Sequence, residues 1–191
     1  NLRFANLFVS NNVKQALNVS DSTISGKVET LATRNVQTIV EEQHATTLVI
    51  RFTNSIVVEM LISRFNVKSE ISGTSRVTLI SVKANTNIWV DPQVVLPKLT
   101  IEDGVTHVQL NGSIAQVDIR TNNDLTLSGT GNFEKINVET DKHVTLDTQG
   151  TVKEMNVQNQ DTTMTIGDNV EIEAVKIPES SKPEDIIDNY E

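Results

Sequence analysis

The sequence contains no cysteine, which excludes disulfide cross-links and thiolate metal sites. Aromatic residues make up only 4% of it, against 37% hydrophobic residues overall, so Val, Ile, Leu and Thr must fill any core. β-Branched interiors of that kind suit thin stacked β-layers better than a bulky globular centre. No apolar run approaches the roughly 18–20 residues that span a bilayer, which argues against membrane insertion within this segment. Excess positive charge is also missing. The formal net charge is −9, and no Lys/Arg cluster forms a stripe that could follow a phosphate backbone, so nucleic acid is not an expected partner. The chain opens at Asn1 rather than Met and carries no signal peptide, and is expected to be a mature or excised fragment.

What the sequence does have is a period. Val77, Ile80 and Val82 form an apolar-x-x-apolar-x-apolar triple, followed after a polar stretch by the pair Ile88 and Val90. The triple returns at Leu96, Leu99 and Ile101; Ile114, Val117 and Ile119; Phe133, Ile136 and Val138; Val152, Met155 and Val157; and Ile172, Val175 and Ile177. First positions at 77, 96, 114, 133, 152 and 172 differ by 19, 18, 19, 19 and 20. Pairs follow at Val108/Leu110, Leu125/Leu127, Val144/Leu146 and Met164/Ile166.

Alternate side chains of a strand share a face, so Val117 and Ile119 point inward while Asp118 and Arg120 point outward. Turn formers separate the strands, as in Thr121-Asn122-Asn123-Asp124, and Ser128-Gly129-Thr130-Gly131-Asn132 separates one repeat from the next. Length varies only in such corners, at 111–113 and 158–163; an insertion inside a strand would flip its faces. Neither strand buries its apolar face alone, but stacking repeats closes a continuous core. The expected fold is all-β: a single-stranded right-handed parallel β-helix (β-solenoid) with rungs of about 18–20 residues. The competitor is an antiparallel sandwich, for which Asn111-Gly112 is a hairpin signal.

Toward the N-terminus the phase continues through Val57, Met60 and Ile62, then Val67 and Ile71. Leu48, Ile50 and Phe52 alternate, as do Leu7/Val9 and Leu17/Val19. Val28, Leu31, Val36 and Ile39 are candidates for earlier rungs, with a helix over 28–42 as the weaker alternative. Residues 1–177 are expected to form one β-helix domain, and residues 178–191 an acidic tail or capping helix, with Ser181 and Glu184 spaced as a capping box and Pro183 tolerated in the first helical turn.

The segments Asn6-Leu7-Phe8-Val9, Leu17-Asn18-Val19-Ser20-Asp21-Ser22-Thr23-Ile24-Ser25-Gly26 and Thr53-Asn54-Ser55-Ile56-Val57-Val58, within 5–87, carry a further pattern. With rungs such as Gly131-Asn132-Phe133-Glu134-Lys135-Ile136-Asn137-Val138, it resembles the β-helical region of S-layer and S-layer-homology-type cell-surface proteins of Gram-positive bacteria. The resemblance implies a structural or adhesive module on the extracellular bacterial cell surface. Its partners would be other domains or subunits of a surface layer, or cell-wall or host glycans. No family catalytic residue comes with it, and neither a wall-binding module nor a sorting motif is visible.

Candidate chemistry is sparse, and no cofactor is expected. Asp118 stacks near Asn137 and Asn156, Asp124 falls beside His143, and Glu134 and Glu154 occupy nearby outward positions, a pattern open to a carboxylate pair or a weak Ca²⁺ site as well as to a solvated face. His44, His107 and His143 are far apart, and no nucleophile motif, P-loop or Gly/Asp calcium nonapeptide occurs. Trp89, between Ile88 and Val90, faces outward and is the candidate ligand-binding residue, through stacking on a sugar ring, unless a flanking residue covers it. The preferred reading is a non-enzymatic structural or adhesive module. The alternatives are a carbohydrate-active β-helix (a polysaccharide lyase or tail-spike-like depolymerase) and a glycan-binding module.

Overall fold

A computed structural model describes residues 2–10, 13, 16–31 and 47–190, and within them the chain winds into a parallel β-solenoid of about eight turns. Three short strands, β1 (Leu2–Phe4), β2 (Leu7–Val9) and β3 (Leu17–Ser20), form the first turn. The next turns are β4 (Ser22–Thr30) with β5 (Leu48–Thr53), β6 (Ile56–Ile62) with β7 (Val67–Ser72), and β8 (Arg76–Val82) with β9 (Thr86–Val90). After them come β10 (Val95–Ile101) with β11 (His107–Asn111), and β12 (Ser113–Ile119) with β13 (Leu125–Thr130). β14 (Phe133–Val138) leads into β15 (His143–Val157), which crosses from one sheet to the other without a break. The stack finishes with β16 (Thr163–Ile166), β17 (Val170–Ile172), β18 (Val175–Lys176) and a one-turn helix, α1 (Pro183–Ile186).

Two parallel sheets run the length of the stack. Sheet A takes β1, β2 and β4, then the longer strands β6, β8, β10 and β12 of the central turns, and β14, the second half of β15, β17 and β18. Sheet B takes β3, β5, β7, β9, β11, β13, the first half of β15 and β16. Every strand pair among the described residues is parallel, which removes the antiparallel sandwich. Asn111 ends β11, and Gly112 is the corner into β12, its φ of 137° supplying a bend that L-residues rarely adopt.

The spacing of the apolar triple has a geometric cause. Pairing in sheet A lapses at Val58, Thr78, Pro97, Ala115 and Glu134, one residue after the first inward side chain of each triple. The strand bends there, and two consecutive side chains face out. Pro97, which has no N–H to donate, sits where the ladder asks for none. All three members of each triple from Val57 to Val157 are buried, in one continuous core with the inward residues of sheet B.

Corners are closed by close backbone stacking. A Cβ on Gly131 would lie 1.9 Å from the Gly112 carbonyl oxygen, and one on Gly150 would lie 2.2 Å from that of Gly131. Asparagine and aspartate side chains stitch neighbouring corners: Asn54 Oδ1 accepts from the Thr74 N–H (3.0 Å), Asn85 Oδ1 from Thr106 (2.8 Å), and Asn132 Oδ1 from Thr151 (2.9 Å).

Nearer the N-terminus, Val28 is buried in β4, but Leu31 lies just beyond the strand and is exposed, because β4 ends at Thr30. The helix alternative fails over 28–30, which are strand; Val36, Ile39 and His44 lie outside the described residues. The buried Arg64 side chain, at the corner after β6, donates to the carbonyls of Ser10 (3.3 Å) and Val13 (3.1 Å) and so ties the first turn to the third. At the other end the capping interaction is displaced by one residue from Ser181/Glu184: Asp185 Oδ2 accepts from the Lys182 N–H at 3.1 Å. Ile186 and Ile187 join the core, Ile187 bridges Met164, and Asn189 exchanges hydrogen bonds with both backbone groups of Ile166.

Candidate functional site

The outward side of sheet A carries three side chains per turn after the bend. Around the central turns these are Lys98, Thr100 and Glu102; Gln116, Asp118 and Arg120; and Lys135, Asn137 and Glu139. Asp118 is at the middle. It faces away from the core, yet it is only 3% exposed, because the longer side chains beside it and on adjacent turns close over it.

Its carboxylate collects four donors. Oδ1 accepts from Gln116 Nε2 and Asn137 Nδ2, both at 2.9 Å, while Oδ2 faces Arg120 Nη2 at 3.1 Å and Lys98 Nζ at 3.4 Å. Burial pushes the Asp118 pKa up, but the hydrogen bonds from Gln116 and Asn137 and the charge of Lys98 outweigh it and hold the acid below its ordinary value. The cluster then spreads along the stack. Arg120 Nε donates to Glu139 at 2.7 Å, and that hydrogen bond raises the Arg120 pKa. Arg120 also reaches Glu102 at 3.8 Å, and Asn156 Nδ2 approaches Asn137 Oδ1 at 3.5 Å. Asp118, Asn137 and Asn156 occupy one column, as their spacing of 19 requires.

Glu134 and Glu154 are not a carboxylate pair. Glu134 stacks on Lys153 (3.0 Å), whose pKa it raises, and Glu154 pairs with Lys135 (3.7 Å) and with Lys176, whose hydrogen bond lowers the Glu154 pKa. Each acid therefore faces a cation on the next turn, which removes the arrangement that a two-carboxylate site or a Ca²⁺ site would need. Among the described residues, no three His, Asp or Glu side chains are gathered as a metal site.

His143 and Asp124 do meet, but through the backbone: the His143 N–H donates to Asp124 Oδ1 at 3.0 Å. The imidazole instead contacts Thr163 Oγ1 (2.7 Å) and Thr165 Oγ1 (3.0 Å), with Asp188 at 3.8 Å. Asp124 thus tethers a corner and does not orient the ring, and His107, on sheet B, bonds its Nδ1 to Thr106 Oγ1 at 3.0 Å.

Trp89 stands on the outward side of sheet B and is 43% exposed. Lys68, one turn below, holds its ammonium 4.9 Å from the ring centre. Glu70 occupies the register position next to Trp89 and pairs with Arg51 (2.6 Å) and Lys68 (3.2 Å). Burial would raise the Glu70 pKa, but hydrogen bonds from Arg51 and Lys68 lower it overall. The flanking cover expected for Trp89 is therefore partial: a lysine head lies over the ring while much of the indole remains in solvent.

No helix among the described residues is long and apolar enough to cross a membrane. Comparison with protein-family models, with curated proteins and with solved structures finds no match to this chain.

Proposed function

We propose that this β-solenoid is a non-catalytic structural module of an extracellular, bacterial cell-surface protein, built as a stiff rod between other domains or subunits of a surface assembly. The observation that carries this reading is the use made of outward charge on sheet A. Asp118 gathers Gln116 and Arg120 from its own turn and Lys98 and Asn137 from the turns on either side, while Arg120–Glu139, Glu134–Lys153 and Lys135–Glu154 each join two successive turns. Side chains committed in this way hold turn against turn. Isolated surface pairs contribute little, but a connected set with a buried centre resists the peeling of one turn from the next.

Two measurements test the proposal. Antibody against the purified chain is expected to label intact source cells; label that appears only after lysis contradicts the surface assignment. Incubation with acidic and neutral polysaccharides is expected to release no product. Turnover of any of these polysaccharides would instead establish a carbohydrate-active enzyme.

A further inference from the structure

The two outward faces treat their polar groups differently. On sheet A, Asp118, Asn137 and Asn156 are hydrogen-bonded along the stack, although Thr100, one turn before Asp118 in the same column, has a buried Oγ1 without a partner. On sheet B the corresponding column is Lys68, Asn87, Gln109 and Ser128, one residue from each of four successive turns. All four are half-buried, yet Asn87, Gln109 and Ser128 make no side-chain hydrogen bond among the described residues. The Asn87 Oδ1 atom is shut off from solvent and has no partner. A buried amide oxygen left unpaired is costly, and a hydrogen-bond donor brought by a ligand would relieve that cost.

These residues line an open depression of about 520 Å³, together with His107, a volume within the range of ligand sites. Trp89 does not itself line the depression; it lies two residues from Asn87 on the same outward face of β9, and Lys68, which does line it, holds its ammonium over the indole. We propose that this face binds an extended, neutral polysaccharide strand, laid along the stack over Asn87, Gln109 and Ser128, with one sugar face against the Trp89 indole.

The chemistry selects this ligand class. Amides and a hydroxyl repeat once per turn, about 4.8 Å apart, and offer both donors and acceptors to sugar hydroxyls, while an exposed indole suits the apolar face of a pyranose. The only cation in the column, Lys68, is paired with Glu70 at 3.2 Å, so the face carries little net charge for a sulfated or uronate chain. A nucleic acid is disfavoured by the net charge of −9. A peptide that binds by strand addition requires a free sheet edge, and these strands are paired on both sides. The column offers one polar side chain per turn in unbroken register across four turns, which fits a ribbon-like β-linked chain better than a coiled α-linked one.

Trp89 is the only tryptophan, so its fluorescence reports on this site alone. The intact chain is titrated with cellohexaose and with chitohexaose, which separate a plain β-linked glucan from its acetamido analogue, and with maltohexaose as the α-linked control. A saturable emission change with at least one β-linked hexasaccharide, and none with maltohexaose, is expected. By calorimetry, Trp89→Ala is expected to abolish binding and Asn87→Ala with Gln109→Ala to weaken it at least tenfold, while Lys135→Ala on sheet A leaves it unchanged. The absence of a saturable change with both β-linked sugars overturns the proposal, as does binding that survives both the Trp89 and the amide variants with circular dichroism unchanged.

Discussion

Replacing Asp118 with alanine is expected to destabilise the solenoid by about 2–3 kcal/mol, starting from a range of about 1.5–3 kcal/mol for a hydrogen bond to a charged group. The side chain is buried and has four donors, but they do not count equally. Lys98 and Arg120 have side chains 41% and 43% exposed, so they recover water when the carboxylate goes, and Arg120 keeps Glu139 at 2.7 Å. Their share is close to that of a surface pair, below about 1 kcal/mol. The amides of Gln116 and Asn137 supply the rest, and they lose their acceptor in a covered site. For a chain of this length the loss corresponds to a fall in Tm of about 4–12 °C, at about 2–4 °C per kcal/mol.

The same residue predicts a pH dependence of definite sign. The folded pKa lies below the ordinary aspartate value of 3.8, so as pH falls through that value the unfolded chain takes up the proton first. The contribution of Asp118 is fully present well above that pH and declines as the pH drops through the lowered folded value. Asp118→Asn keeps the shape, removes the charge, loses about half of the 2–3 kcal/mol and is expected to show a shallower acid slope. Thermal and urea unfolding between pH 7 and pH 2 measure all of this. An Asp118→Ala variant within about 0.5 kcal/mol of the parent at pH 7, or acid profiles that superimpose, would refute the assignment of Asp118 as the centre of the inter-turn network.

Other perturbations separate packing from backbone geometry. Gly131→Ala places a methyl group 1.9 Å from the Gly112 carbonyl oxygen and is expected to cost about 3 kcal/mol, whereas Gly104→Ala, with φ of 88° but no atom within 4 Å, is expected to cost about 1–2 kcal/mol, both read from denaturant midpoints. Phe133→Ala removes one of the largest fully buried side chains and is expected to cost about 3–5 kcal/mol by the same measurement. Deletion of 178–191 removes Ile187 from Met164 and Asn189 from Ile166; amides of β16 are expected to exchange faster while those of β10 and β12 keep their protection. Equal protection of β16 in both chains would show that the tail does not close that end.

The period of 18–20 residues made the parallel stack legible in the sequence because one structural unit accounts for both the apolar triple and the pair. What the period alone did not give was the bend inside the longer strand, which places two adjacent outward residues between the first and second members of the triple. Glu134 and Glu154 show the consequence of register. They are 20 residues apart and read as neighbours, but this part of the stack repeats at 19, so Glu134 faces Lys153 and Glu154 faces Lys135. One residue of slip exchanges a pair of like charges for two ion pairs. The column of Asp118, Asn137 and Asn156 was legible for the same reason, since its members do lie 19 apart. The burial of Asp118 was not, because alternation marks it as outward and only the length of the side chains around it closes the site.

The comparison of the two faces bears on function more than either face does alone. In a parallel stack every outward position meets its equivalents one turn above and below, so a polar side chain there either bonds along the stack or keeps its groups for something else. Sheet A takes the first course at Asp118, Arg120, Asn137 and Glu154. Sheet B takes it at Arg51 and Glu70, where the Glu70 carboxylate holds two cations from its surroundings, and then stops: from Asn87 to Ser128 the column is polar, half-buried and unbonded beside the exposed Trp89. Extending the Asp118–Asn137–Asn156 pattern over this stretch would add cohesion, since an unpaired amide in a covered position is a net loss, as is the unpaired Thr100 Oγ1 on sheet A. Cohesion on one face and unused hydrogen-bonding capacity on the other give the solenoid a sided surface, which is what the proposed spacing and polymer-binding roles require.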